Sequence, residues 1–407
     1  MSDWPPPHNM PAGWDWVRLG DVCTLAGDAA TPAAQPERVF AHYSMPAFDA
    51  GAGPELVPGS AIGSTKTAFP AGAVLLSRLN PRIVRVWHTR GDHAQQCVCS
   101  TDFVPLSPDP GRVDACYLTW ALQDPALVAR LRRAARAATK SRERVRPERI
   151  LAERVPVPPI PEQRRIATAL TEQMAAVERA RAAAEAQVDA AKTLPAAWLR
   201  ELFEGPGAQA WPWRTLGEVA RTCSGATPPR GDGRYFGGDI PWVKTAELRD
   251  GVIEDTEEHV SEAALRETSM QLLPAGTLLV AMYGQGQTRG RTGLLGRPAT
   301  SNQACFAILP DASRFSPAFL QLWFRHQYML LRARSEGRGG NQPNLSGGIL
   351  RHEMLPLPPV SLQFRLAADL AARIAGAERA AQVLATQAAA VSMLPGSLLR
   401  RALSGGL

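Results

Sequence analysis

Residues 156–170 read PVPPIPEQRRIATAL and residues 356–370 read PLPPVSLQFRLAADL. Pro156, Pro158, Pro159, Gln163, Arg165, Ala167 and Leu170 return 200 positions later as Pro356, Pro358, Pro359, Gln363, Arg365, Ala367 and Leu370. Further along, Glu178-Arg179-Ala180 returns as Glu378-Arg379-Ala380, Leu194-Pro195 as Leu394-Pro395, and Leu199-Arg200 as Leu399-Arg400. Upstream, Trp14, Trp16 and Leu19-Gly20-Asp21-Val22 match Trp211, Trp213 and Leu216-Gly217-Glu218-Val219 at an offset of 197. Coincidence does not hold one offset for so long; the chain is a tandem duplication of one architectural unit.

Segments 161–204 and 361–404 each hold 13 alanines in 44 residues, few β-branched residues and a proline near the start, which predicts two long helices. Continuous, each would run about 60 Å at 1.5 Å per residue. Ile166, Leu170, Val177, Val188 and Trp198 on the first, and Leu366, Leu370, Leu384, Val391 and Leu398 on the second, recur at spacings that share a face. These stripes are expected to pack on each other as an antiparallel, coiled-coil-like pair with pseudo-two-fold symmetry. Pro195 and Pro395 are expected to kink or break both rods.

The remaining stretches are rich in Gly, Pro and β-formers. Ala73-Val74-Leu75-Leu76 and Thr277-Leu278-Leu279-Val280-Ala281 read as buried strands, each after the same turn, Pro70-Ala71-Gly72 and Pro274-Ala275-Gly276. Helices are expected at Ala115 to Arg136 and at Pro317 to Arg334. The expected fold is therefore α+β with a mixed or mostly antiparallel sheet in each half. The expected order is a Pro-rich segment (1–13), a first globular domain (14–155), a central helical spacer (156–205), a second domain (206–355) and a C-terminal spacer (356–407).

The net charge is +7, from 45 Lys plus Arg against 38 Asp plus Glu, nearly all the cations being Arg. This favours a polyanionic partner without proving one. Six cysteines show no Cys-x-x-Cys pair, so neither a zinc ribbon nor a disulfide framework is indicated; the Cys97-x-Cys99 pair reads as strand alternation. No apolar run is long enough to span a bilayer and the start lacks a signal-peptide layout, so a cytoplasmic location without membrane partners is expected. A base-modifying methyltransferase would need a cofactor loop and an Asn/Asp-Pro-Pro-aromatic element, and a nuclease would need clustered carboxylates. Neither pattern occurs, and no enzyme activity, cofactor or metal is expected.

In order and in duplicate, the PxPPxPEQRRIA stretch at 156–167, the Leu-Gly-Asp/Glu openings, the Pro-Ala-Gly turn with its strand, and the starts at Cys99-Ser100-Thr101-Asp102-Phe103 and Thr300-Ser301-Asn302-Gln303 resemble the specificity subunit of type I restriction-modification systems. The resemblance spans almost the whole chain from Trp14. It implies that each globular domain reads one half of a bipartite, asymmetric site in double-stranded DNA. It also implies that the helices fix the gap and dock two methyltransferase subunits, with restriction subunits as further partners. One departure is Ser361-Leu362, where the first copy has Pro161-Glu162, which puts in doubt any contact of the second copy that uses the Glu162 carboxylate. The recognition chain of another restriction-modification type, and a protein-binding adaptor without DNA, remain as alternatives.

Candidate DNA contacts follow from where donors sit. Segment 283–291 alternates glycine with Tyr283, Gln285, Gln287, Thr288, Arg289 and Arg291; Gln pairs bidentately with adenine and Arg with guanine. The matching end of the first strand carries Arg78, Asn80, Arg82 and Arg85. A second matched pair precedes the helices: Lys140, Arg142 and Arg144 opposite Asn341, Gln342 and Asn344. Lys66, Lys244 and Arg338 are candidate phosphate contacts.

Overall fold

The computed structural model describes residues 10–89, 94–135, 143–284, 286–335 and 344–407. The chain divides into two compact units, Met1–Glu185 with Thr386–Leu407, and Ala186–Ala385. The boundaries fall inside the long helices, so each unit takes a piece of both.

In the first unit a four-stranded sheet orders Cys23–Leu25, Phe103–Pro108, Val74–Ser77 and Val86–His88, all antiparallel. A five-stranded sheet mixes antiparallel pairs with a parallel one between Val39–Tyr43 and Gln96–Cys99. In the second unit the sheet Thr222–Ser224, Cys305–Ile308, Leu278–Ala281, Thr292–Leu295 and Gly251–Ile253 repeats the first arrangement and adds a parallel edge. Strands Val74–Ser77 and Leu278–Ala281 are buried along their whole length, as their unbroken apolar runs require. Gly72 and Gly276 both hold φ at +82°, the left-handed turn in which only glycine avoids a Cβ penalty.

The expected helix Ala115 to Arg136 is instead two, Ala115–Ala121 and Pro125–Ala134. Asp124 ends the first by capping the second, its carboxylate accepting from the Ala126 and Leu127 amides ahead of Pro125. The second copy lacks this stop and runs unbroken over Pro317–Ser335.

The central helix spans Ile160–Glu204 with Pro195 inside it, so of the kink or break expected there the break does not occur. In the second copy the helix Val360–Ser392 does stop, and a new one, Leu394–Ala402, starts with Pro395 in its first turn. In the first unit Ile166, Ala167 and Leu170 join a core with Leu19, Leu118, Ile150, Leu399, Ala402 and Leu403. In the second, Leu199 and Phe203 join Leu320, Trp323, Ala367, Leu370 and Ile374. In both units the start of one repeat lies with the end of the other, the antiparallel sense expected. Ile166 and Leu170 thus sit in a domain core rather than only between helices. Val177 and Val188 are buried, while Trp198, Leu366, Leu384, Val391 and Leu398 are half-buried.

The repeated glutamine explains itself in the structure. Gln163 accepts at Oε1 from the Asp114 amide (2.7 Å) and donates from Nε2 to the carbonyls of Pro158 (2.7 Å) and Arg112 (2.9 Å). Gln363 accepts from the Ser316 amide (3.0 Å) and donates to the Pro358 carbonyl (2.8 Å). Both side chains are buried, and each ties the start of a long helix to the capping residue of a domain helix. Glu162, by contrast, makes a surface pair with Arg165 at 2.7 Å, which Leu362 cannot reproduce. Burial of Gln363 shows that the second copy keeps its clamp without the acid.

Candidate nucleic-acid interface

Each unit builds one hairpin at the same place. In the first, the Ser77 amide donates to the Arg85 carbonyl (2.9 Å); in the second, the Ala281 amide donates to the Arg291 carbonyl (2.9 Å). The segment that leads into the helical repeat lies against each hairpin. The Val145 amide donates to the Arg78 carbonyl and the Leu345 amide to the Met282 carbonyl, both at 3.0 Å. The two segments that the sequence picked out separately in each half therefore meet.

The arginines that close the hairpins are held rather than presented. Arg85 forms a bidentate pair with Asp49 (2.6 and 2.8 Å), which pulls the Asp49 carboxyl below its ordinary range. Arg291 bonds the Asp250 carboxylate (2.5 Å), and the same carboxylate accepts from the Thr292 amide and hydroxyl, both at 2.9 Å. Asp250 holds φ at +61°, a strained state for a residue with a side chain, and its three bonds offset that cost. Asp49 and Asp250 carried no sequence signal beyond Asp250-Gly251 as a turn pair.

Other candidates divide in the same way. Arg144 is bidentate to Asp102 (2.8 and 3.2 Å). Arg78 Nε and Asn80 Oδ1 are buried and find no partner among the described residues. Arg82 is exposed. In the second unit Arg289, expected at the loop surface, is only 5% exposed; replacing it would disturb the loop's packing. Gln287 is exposed and Thr288 half-buried. The Tyr328 hydroxyl donates to the Gln287 carbonyl (2.7 Å), and its ring lies 5.2 Å from the Arg291 guanidinium. Asn344 donates to the Tyr283 hydroxyl (3.3 Å), and Tyr283 is 39% exposed.

Lys66 is half-buried and donates to Ser64 (2.6 Å). Lys244 donates to Glu257 and Glu258 (2.8 and 2.9 Å), so a phosphate there would compete with two carboxylates. Lys140, Arg142, Gln285, Arg338, Asn341 and Gln342 lie outside the described residues. Among the described residues no cluster of three or more His, Cys, Asp or Glu could hold a metal, and no helix is long and apolar enough to cross a membrane.

Residues 209–372 match the family model of the type I restriction modification DNA specificity domain. The chain is 26% identical over 163 residues to the MjaIX type I restriction enzyme specificity subunit of Methanocaldococcus jannaschii, an alignment covering 39% of this chain and 37% of that one. It is 24% identical over 156 residues to the EcoR124I/EcoR124II specificity subunit of Escherichia coli, covering 38% of each. The aligned part thus spans less than two fifths of these relatives. Two solved structures share the fold over 98% of this chain. One is a chain from a structure described as showing complex assembly and conformational transition of the type I R-M system (TM-score 0.76, 22% identity, all of that chain). The other is the HsdS subunit from Thermoanaerobacter tengcongensis (TM-score 0.66, 23% identity, 99% of that chain).

Proposed function

We infer that this chain, a type I restriction-modification specificity subunit by its family domain and its fold, reads duplex DNA with two hairpins and carries out no chemistry itself. Each hairpin recognises one half of a bipartite, asymmetric site. The long helices set the separation of the halves and receive methyltransferase subunits, to which methyl transfer belongs.

The observation that carries this reading is one hairpin built twice with the same backbone bonds and different tips. A scaffold that must present different side chains to different bases needs a fixed frame and a free end. The frames are fixed here by Asp49 with Arg85 and by Asp250 with Arg291. Half-sites on one face of B-DNA lie about one helical turn apart, roughly 34 Å, which helices of this length can span.

The test is binding of the purified full chain to a random duplex library across salt concentrations. Retention of a split sequence preference, with affinity falling steeply as salt rises, is expected. Affinity without sequence preference, or none at all, would leave a protein-binding adaptor as the better reading.

A further inference from the structure

The first hairpin carries two apolar side chains beside its turn. Asn80, Pro81, Arg82 and Ile83 form a turn in which the Ile83 amide donates to the Asn80 carbonyl (2.8 Å), with proline at the second position where its fixed φ suits the turn. Asn80 holds φ at +48°, and its amide donates to the Glu143 carbonyl (2.8 Å), so the base of the turn is tied down. Beyond it, Ile83 is 45% and Val84 38% exposed. Two adjacent β-branched apolar side chains are thus held partly exposed beside a fixed turn.

Of the neighbouring cations, Arg82 is exposed in the turn and can meet a phosphate, whereas two others are held in ion pairs. Arg85 and Arg144 are each engaged by both oxygens of a carboxylate, and a base contact would have to break such a pair. The second hairpin, by contrast, exposes Gln287 and Tyr283, which can hydrogen-bond. The apolar group that a base edge offers in the major groove is the C5 methyl of thymine.

We propose that Ile83 and Val84 form a contact surface for pyrimidine C5 methyl groups, so that the first hairpin selects thymine by apolar contact where the second selects by hydrogen bonds. This rests on the DNA-reading function inferred above. A methyl buried against such a pair contributes about a fourfold gain in affinity.

The test uses the full chain and the duplex it selects from a random library, with each thymine replaced singly by uracil, which lacks only that methyl. The expected result is one or two thymines, confined to one half-site, whose replacement weakens wild-type binding about fourfold each. Binding by an Ile83→Ala/Val84→Ala chain should be indifferent to the same replacement, and its preference in the other half-site should be unchanged. Tolerance of uracil throughout by the wild type, or an equal loss in the variant, would overturn the proposal while leaving DNA reading intact. A variant that reads both half-sites normally but no longer binds a methyltransferase subunit would overturn it in favour of protein docking. A wild-type chain that selects no sequence would overturn the proposal and the function together.

Discussion

The two hairpins share a frame and differ at their ends. One closes through Arg85 on Asp49, 49% exposed, and ends in Ile83 and Val84; the other closes through Arg291 on the half-buried Asp250, 11% exposed, and ends in Tyr283 and Gln287. A duplicated unit can drift only where drift does not cost the fold. Here the backbone bonds, the glycine turn at φ +82° and the buried glutamine are kept, and the exposed tips have changed. Under the proposed function, specificity and stability fall to different residues, and substitutions should separate them.

The largest expected effect lies in the shared frame. Gln363→Leu leaves the Ser316 amide and the Pro358 carbonyl buried without partners and should cost about 3 kcal/mol. Hydrogen exchange on the full chain should show faster opening throughout residues 186–385 and unchanged protection in the first domain. Gln163→Leu should do the reverse, and a global loss from either would erase the distinction between units.

Next comes the closure of each hairpin. Asp250→Ala removes three bonds from the less exposed of the two carboxylates and should loosen the second hairpin by about 1–2 kcal/mol, read as local exchange at residues 281–292. Asp49→Ala, at a more exposed pair, should cost less than about 1 kcal/mol. Equal costs would mean that burial does not separate the two closures.

Acid titration sharpens the same contrast. Arg85 holds the Asp49 carboxyl below its ordinary range, so the ionised pair contributes to stability above the unfolded carboxylate range. That contribution is lost as pH falls through the depressed folded value. The chemical shifts of the first hairpin should move there, and in Asp49→Asn they should not. The smallest effect belongs to Pro395→Ala, which changes the first turn of a helix where proline is tolerated. Circular dichroism should show helix content unchanged and stability shifted by less than about 1 kcal/mol.

Much of this design was legible in one dimension because duplication compares the chain with itself. The offset located the helices, the strand after each Pro-Ala-Gly turn located the hairpins, and Arg144 and Asn344, picked from the matched segments, lie in the chain beside them. What stayed hidden depends on distance in sequence. Asp49 and Asp250 lie 36 and 41 residues from the arginines they hold, and no local pattern links them. Arg289 reads as a reader because it sits among glycines, yet the fold turns it inward. The buried face shifts towards the end of the first stripe for a helical reason. A strict seven-residue repeat drifts about 20° per heptad on a straight helix, so after some four heptads the buried face has moved by one residue. Leu199 and Phe203 are buried, one position on from the half-buried Trp198 of the expected stripe.

The decisive measurement is methylome sequencing of a host that carries this chain and the methyltransferase encoded beside it, with the wild type beside a chain altered only at Tyr283 and Gln287. Modification of a split motif, with one half changed by the alteration and the other half kept, is expected. Change in both halves, or in neither, would contradict a chain with two independent readers.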